Sequence, residues 1–86
     1  MSNSLSIRYK YYRSGSLVLW FNDDQVYFNR FDSIYISKLG GVESAKERKG
    51  ILTIYYNPDV YPDHRNLLKA IQNCLSRLRH CRIYLY

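Results

Sequence analysis

The chain has 86 residues, a formal net charge of +6 and ten tyrosines. A chain of this length forms one domain with little room for a deep catalytic cleft, and its apolar fraction of 47% excludes a disordered protein. No stretch approaches the roughly 18 apolar residues that a membrane span requires. The positive charge predicts an attraction to nucleic acid, anionic lipid or acidic protein. The alternative is that the charge only keeps the surface solvated, since it is dispersed over residues 8–13, 46–49 and 77–82.

The cysteines and the N-terminus carry no targeting or metal motif. Cys74 and Cys81 are seven residues apart, which matches neither C-x-x-C nor a zinc-finger spacing. The N-terminal segment MSNSLSIRYK lacks the apolar core of a signal peptide. We therefore expect a cytoplasmic chain with reduced thiols, in which residues 1–4 form a disordered polar tail and residues 5–86 form a single domain.

Two strand-like runs come first. Residues 5–12, LSIRYKYY, alternate between two sets of side chains with the period of a half-buried strand. Residues 17–21, LVLWF, are a second run, and Ser14-Gly15-Ser16 between them signals a turn or bulge. The two runs form either a hairpin or one long strand that bends at Gly15.

A helix is predicted next. Asn22-Asp23-Asp24 offers a capping side chain and acids for a first helical turn. Gly40 and Gly41 then end the helix, because glycine readily adopts the left-handed conformation after a helix C-terminus. Between them, apolar residues three or four apart predict one buried stripe, made of Tyr27 or Phe28, Phe31, Ile34 or Tyr35, and Leu39.

The second half of the chain also predicts strands and a helix. Residues 42–48 predict a charged edge strand, Lys49-Gly50 a turn, and residues 51–56 a strong strand. Asp63 can cap a second helix that extends to about Leu78. Its apolar stripe is Leu67, Leu68, Ile71, Cys74 or Leu75, and Leu78, and residues 82–86 form a last strand.

The order strand, helix, strand, strand, helix, strand predicts an α+β fold of the ferredoxin-like βαββαβ type. Right-handed crossovers then give a four-stranded antiparallel sheet with two helices on one face. In this arrangement we expect Leu52, Ile54 and Tyr56 to face the helices, and Thr53 and Tyr55 to lie on the opposite side of the sheet.

The segment LGGVESAKERKGILTIYYNPD resembles the heavy-metal-associated domain family in its turns and core periodicity. The N-terminal IRYKYYRSGSLVLWF is similar to the cysteine-less variant of that family. The resemblance covers about residues 17 to 75 and implies a relative of the domains found beside metal-pumping P-type ATPases. Metal-transferring members carry C-x-x-C after the first strand, where this chain has FNDDQVYF, so the resemblance implies no metal ligand here.

No other chemistry is indicated. Cys74 lies on the apolar stripe of the second helix, which favours a buried structural thiol. His64 and His80 stand at opposite ends of that helix, about 20 Å apart, and cannot share one metal ion. The chain has no phosphate-cradling glycine loop and no G-x-S-x-G or H-E-x-x-H motif. We assign no catalytic, cofactor-binding or metal-binding residue and expect no enzymatic activity.

We therefore predict a non-catalytic interaction module that contacts a protein partner, or a second copy of itself, through the open face of its sheet. The alternative is RNA or other nucleic-acid binding. Lys49-Gly50 copies the basic start of an RNA-recognition strand, but Ile51 and Thr53 occupy the positions where such strands carry stacking aromatics. For either partner the candidate contact residues are basic or aromatic: Arg8, Lys10, Tyr12, Arg13, Trp20, Tyr55, Arg82, Tyr84 and Tyr86.

Overall fold

A computed structural model describes residues 4–86 as one five-stranded sheet with two helices. In chain order the elements are β1 (Ser4–Tyr12), β2 (Ser16–Phe21), α1 (Arg30–Ser37), β3 (Val42–Arg48), β4 (Ile51–Tyr56), α2 (His64–Arg79) and β5 (Arg82–Leu85). Of the predicted tail, residues 1–3 lie outside the described residues and Ser4 begins β1. No helix within residues 4–86 is long and apolar enough to cross a bilayer.

The ferredoxin-like prediction is wrong, because the sheet is five-stranded and mixed. Its strand order is β3-β4-β2-β1-β5. Strand β1 pairs antiparallel with β2 on one side and parallel with β5 on the other. It therefore separates β2 from β5, and the sheet is neither four-stranded nor wholly antiparallel.

The extra strand follows from the turn at Gly15, which makes the hairpin the correct alternative for the first two runs. The Gly15 N–H donates to the Tyr12 carbonyl at 3.1 Å, and the backbone has φ +103°, which favours glycine. The Tyr56 N–H donates to the Gly15 carbonyl at 2.9 Å. A Cβ at Gly15 would stand 2.9 Å from the Tyr56 carbonyl oxygen, so a larger residue would disturb both the hairpin and its contact with β4.

The first helix begins eight residues later than Asn22. Asn29 is its N-cap and forms a capping box with Asp32: the Asp32 N–H donates to Asn29 Oδ1 at 3.1 Å, and the Asn29 N–H donates to Asp32 Oδ2 at 2.8 Å. Residues 22–29 are a loop that places Phe28 in the core, 4.4 Å from the Phe21 ring. The buried Phe28 therefore belongs to the loop and not to a helical stripe.

The predicted stripe of α1 faces solvent. Phe31 is 67% exposed, and Ile34 and Tyr35 are exposed as well. The residues that α1 buries are Asp32, Ser33 and Ile36, on the opposite side of the helix. The error follows from the helix start, because the polar Asp32 and Ser33 take the inward positions that the apolar spacing assigned to Phe31 and Ile34.

The predicted positions of β3, β4 and α2 are confirmed, although Leu78 of the predicted α2 stripe lies outside the buried core. Asp63 caps α2 by accepting the Arg65 N–H at 3.0 Å. Strands and helices bury one continuous core on a single face of the sheet. Its members are Ile7, Leu17, Leu19, Phe21, Phe28, Ile36, Leu52, Ile54, Tyr56, Leu67, Leu68, Ile71, Leu75 and Ile83.

Candidate functional site

The sheet face that the helices leave uncovered is the candidate site, and we call it the open face. Side chains alternate between the two faces along each strand, and directly paired residues point to the same face. Leu52, Ile54 and Tyr56 are buried against the helices, so Thr53 and Tyr55 belong to the open face. The strand pairings then extend the open face to Lys10, Tyr12, Val18 and Trp20 on the central hairpin.

Five cationic side chains lie on the open face. Arg8 and Lys10 are on β1, Lys46 and Arg48 are on β3, and Arg82 is on the edge strand β5. All five are exposed. Within residues 4–86 the two ion pairs are Arg65–Asp63 and Arg79–Asp32, so none of the five cations is neutralised by a carboxylate.

Acidic side chains are displaced from this face. Glu47 pairs with Leu52 and therefore points to the helix side, where its carboxylate accepts the Gly50 N–H at 2.9 Å. Glu43 lies at the bulge between Val42 and Ser44, at the sheet edge. Among the described residues, no paired position of the open face carries an Asp or Glu, so the charged residues at these positions are all cationic.

Aromatic and apolar side chains form the floor between the cations. Trp20 pairs with Arg8, and Tyr55 pairs with Ser16, which pairs in turn with Tyr12. Trp20 is 37% exposed and Tyr55 44%, so both side chains remain partly accessible to solvent. Ile51 and Tyr84 are exposed to a similar degree. A flat floor of this kind offers stacking surfaces to planar groups.

The strand spacing fixes the width of the site. Lys10 pairs with Val18, Val18 with Thr53, and Thr53 with Lys46, so the row crosses β1, β2, β4 and β3. Three steps of about 4.8 Å separate the outer strands, which puts the backbones of Lys10 and Lys46 about 14 Å apart. The cations of β1 and β3 therefore flank the aromatic floor on both sides.

The structure brings together seven of the predicted contact residues. Arg8, Lys10, Tyr12, Trp20, Tyr55, Arg82 and Tyr84 share the open face, whereas Arg13 lies in the hairpin turn and Tyr86 follows β5. The Tyr86 N–H donates to the Ile7 carbonyl at 3.0 Å.

Three further residues of the open face, Lys46, Arg48 and Ile51, are not among the contact residues predicted from the sequence. The signal was present in VESAKER, since Lys46 and Arg48 alternate with Glu47 at the period of a strand. With that alternation both cations must lie on one face of the sheet and the carboxylate on the other.

Cys74 and His64 pack against neighbouring side chains in this structure. Burial raises the pKa of the Cys74 thiol, which disfavours the nucleophilic thiolate. His64 stacks on Tyr11 with ring centroids 4.0 Å apart. Among residues 4–86 no group of three or more His, Cys, Asp or Glu side chains is placed to hold a metal ion.

No protein-family model matches this chain, and no curated protein and no solved structure matches it. The resemblance to heavy-metal-associated domains therefore stays a prediction.

Proposed function

We propose that this protein is a non-enzymatic module that binds single-stranded nucleic acid on the open face of its sheet. The observation that carries the proposal is the combination of five cations, none of which forms an ion pair within residues 4–86, with an aromatic floor. Arg8 and Lys10 flank Trp20 and Tyr55 on one side, and Lys46 and Arg48 flank them on the other.

The charge arrangement favours a polyanion. Each phosphate that a lysine or arginine neutralises releases condensed counterions, which favours binding without regard to sequence. Cations that already hold an acidic partner contribute less, because the ion pair must first be broken. Arg8, Lys10 and Lys46 have no such partner among the described residues.

The aromatic floor favours a single strand over a duplex. Unpaired bases can stack on exposed rings, and such stacking contributes about 1–3 kcal/mol per base. Trp20 and Tyr55 lie on neighbouring strands and are both partly exposed. In a duplex the bases are stacked on each other, so only the backbone could contact this face.

The same charges oppose the pairing of two open faces. In a symmetric dimer through this surface the cations of one copy would approach those of the other, and like charges across an interface cost several kcal/mol. An acidic protein segment is the second candidate, because tyrosine and tryptophan are enriched in protein interfaces. Whether such a partner belongs to metal transport, as the family resemblance implies, is a separate prediction.

A titration of labelled RNA tests the proposal. The probe is an all-uridine octamer carrying fluorescein, and binding is followed by fluorescence anisotropy at low salt. Lys10→Glu with Lys46→Glu should weaken binding at least tenfold, since both charges flank the floor. The control is Lys69→Glu, which reverses the charge of an exposed residue on α2.

Tyr55→Ala tests the contribution of the aromatic floor. The substitution should weaken binding of the octamer several-fold, because a stacking surface is lost. Tyr35→Ala removes an exposed tyrosine from α1 and should leave the affinity unchanged. If the wild-type protein fails to bind the octamer at low salt, or if the open-face and α2 charge reversals act alike, the proposal is wrong.

A further inference from the structure

A cavity of about 370 Å³ opens at one end of the open face. Trp20 and Ile51 belong both to its wall and to the floor of the open face, so the two are continuous. The remaining wall comes from the loop after β2 and from the turn between β3 and β4. This volume falls in the range of small-molecule sites, roughly 300–1,000 Å³.

The cavity combines an aromatic surface with groups of both charges. Trp20 and Tyr27 supply rings, Lys49 a cation, and Asp23 and Asp24 carboxylates. Asp23 and Asp24 differ in the hydrogen bonds that their carboxylates accept. Asp23 Oδ1 accepts the Gln25 N–H at 2.9 Å, so this side chain fixes the loop. Asp24 accepts no hydrogen bond from any residue between 4 and 86, so both of its oxygens remain available in that part of the chain.

The turn at Gly50 shapes the opposite wall. Gly50 has φ +79°, and a Cβ there would stand 2.5 Å from Cδ1 of Tyr27. Tyr27 therefore packs directly on the glycine backbone, which only the missing side chain permits. The Phe28 N–H also donates to the Gly50 carbonyl at 3.2 Å, tying the loop to the turn.

We infer that this cavity receives one base of the bound strand and selects guanine. The inference rests on the proposed function, because the base arrives as part of a strand on the open face. Guanine presents two adjacent donors, the N1–H and the 2-amino group, which match the two acceptor oxygens of the Asp24 carboxylate. Uracil presents a single donor between two carbonyl oxygens, and adenine and cytosine present an amino group beside an acceptor nitrogen. Those edges give one hydrogen bond and place lone pairs against the carboxylate.

The test compares two labelled RNA octamers, one of uridine only and one with a single central guanosine. Wild-type protein should bind the guanosine octamer about tenfold tighter, since a bidentate pair discriminates by roughly 1–3 kcal/mol and 1.4 kcal/mol is tenfold. Asp24→Asn should bring the two affinities to within about twofold, because the amide offers one acceptor and one donor. Asp59→Asn is the control: it removes the same charge from an exposed turn after β4, at the end of that strand away from Gly50.

The outcomes are distinguishable. Equal affinity of the wild-type protein for both octamers contradicts guanine selection and leaves the proposed function intact. An unchanged preference in Asp24→Asn shows that this carboxylate does not select the base. Loss of preference in Asp59→Asn as well assigns the effect to overall charge and contradicts the inference. Failure of both octamers to bind the wild-type protein removes the proposed function itself.

Discussion

Arg79 holds the buried carboxylate of Asp32 at 2.6 Å and joins the end of α2 to the start of α1. Arg79 Nη2 also donates to the Tyr27 carbonyl at 2.9 Å, and its guanidinium lies 4.6 Å from the centre of the Phe21 ring. Asp32 is 1% exposed and at the same time closes the capping box with Asn29. One arginine therefore stabilises a helix start, a loop and a buried charge.

Removal of this arginine should destabilise the fold strongly. Arg79→Ala leaves the Asp32 charge buried and unpaired, which costs about 3–5 kcal/mol. Arg77→Ala, two residues earlier and exposed, should stay within about 0.5 kcal/mol of the wild type. Urea unfolding followed by circular dichroism measures both variants. Equal stability of the two variants would show that the ion pair is not a structural link.

The orientation of α1 gives a matched pair of substitutions. Ile36→Ala should cost about 2–5 kcal/mol, because it empties a fully buried site. Phe31→Ala removes a larger side chain but should change the free energy of unfolding by less than about 1 kcal/mol, since Phe31 faces solvent. The opposite order, with Phe31→Ala the more damaging change, would mean that α1 is rotated by half a turn.

Strand β4 provides a test of register in two neighbouring residues. Leu52→Ala should destabilise by about 2–5 kcal/mol, whereas Thr53→Ala should have a far smaller effect. The reason is the alternation of side chains, which puts Leu52 in the core and Thr53 on the open face. Equal losses in chemical denaturation would contradict this register.

The cap of α2 should make stability depend on pH in the acid range. Hydrogen bonds from the Arg65 side chain and backbone lower the pKa of Asp63 from 3.8 to about 2. Because the pKa is lower in the folded state, the stabilisation is complete above pH 3.8 and is lost as pH falls through about 2. Asp63→Asn keeps a capping oxygen without the titration, so its thermal midpoint should fall less than that of the wild type across this window. If the thermal midpoints of the wild type and the variant fall equally with pH, Asp63 is not the group that causes the pH dependence.

Local patterns predicted β3, β4 and α2 because each combines a clear period with a boundary signal. For α2 the signal is Asp63, and for the hairpin of β3 and β4 it is Lys49-Gly50. The start of α1 was missed because Asn22 and Asn29 both satisfy the rule for a cap. The capping-box pattern does not distinguish them either, because Gln25 stands three residues after Asn22 just as Asp32 stands three residues after Asn29. In the structure the box forms at Asn29 and Asp32.

Local sequence patterns could not predict the place of β1 in the strand order. Its parallel pairing with β5 joins Leu5 to Ile83, residues from opposite ends of the chain. Neither strand has a local sequence pattern that specifies its neighbour in the sheet. The pairing depends on how the rest of the chain has folded and on which strands then lie at the edges of the sheet. The open face could be predicted only in part for the same reason: alternation assigns Tyr55 to it, but strand order decides that Lys46 and Lys10 flank it.

The salt dependence of RNA binding tests the central claim most directly. For a single strand the slope of log K against log salt is about −0.7 per neutralised phosphate, so five open-face cations predict a slope of about −3.5. Lys10→Ala with Lys46→Ala should reduce its magnitude by about 1.4, and Lys69→Ala on α2 should leave it unchanged. Anisotropy titrations of the uridine octamer at several salt concentrations give all three slopes. A slope near zero, or one that the open-face substitutions leave unaltered, would contradict nucleic-acid binding by this face.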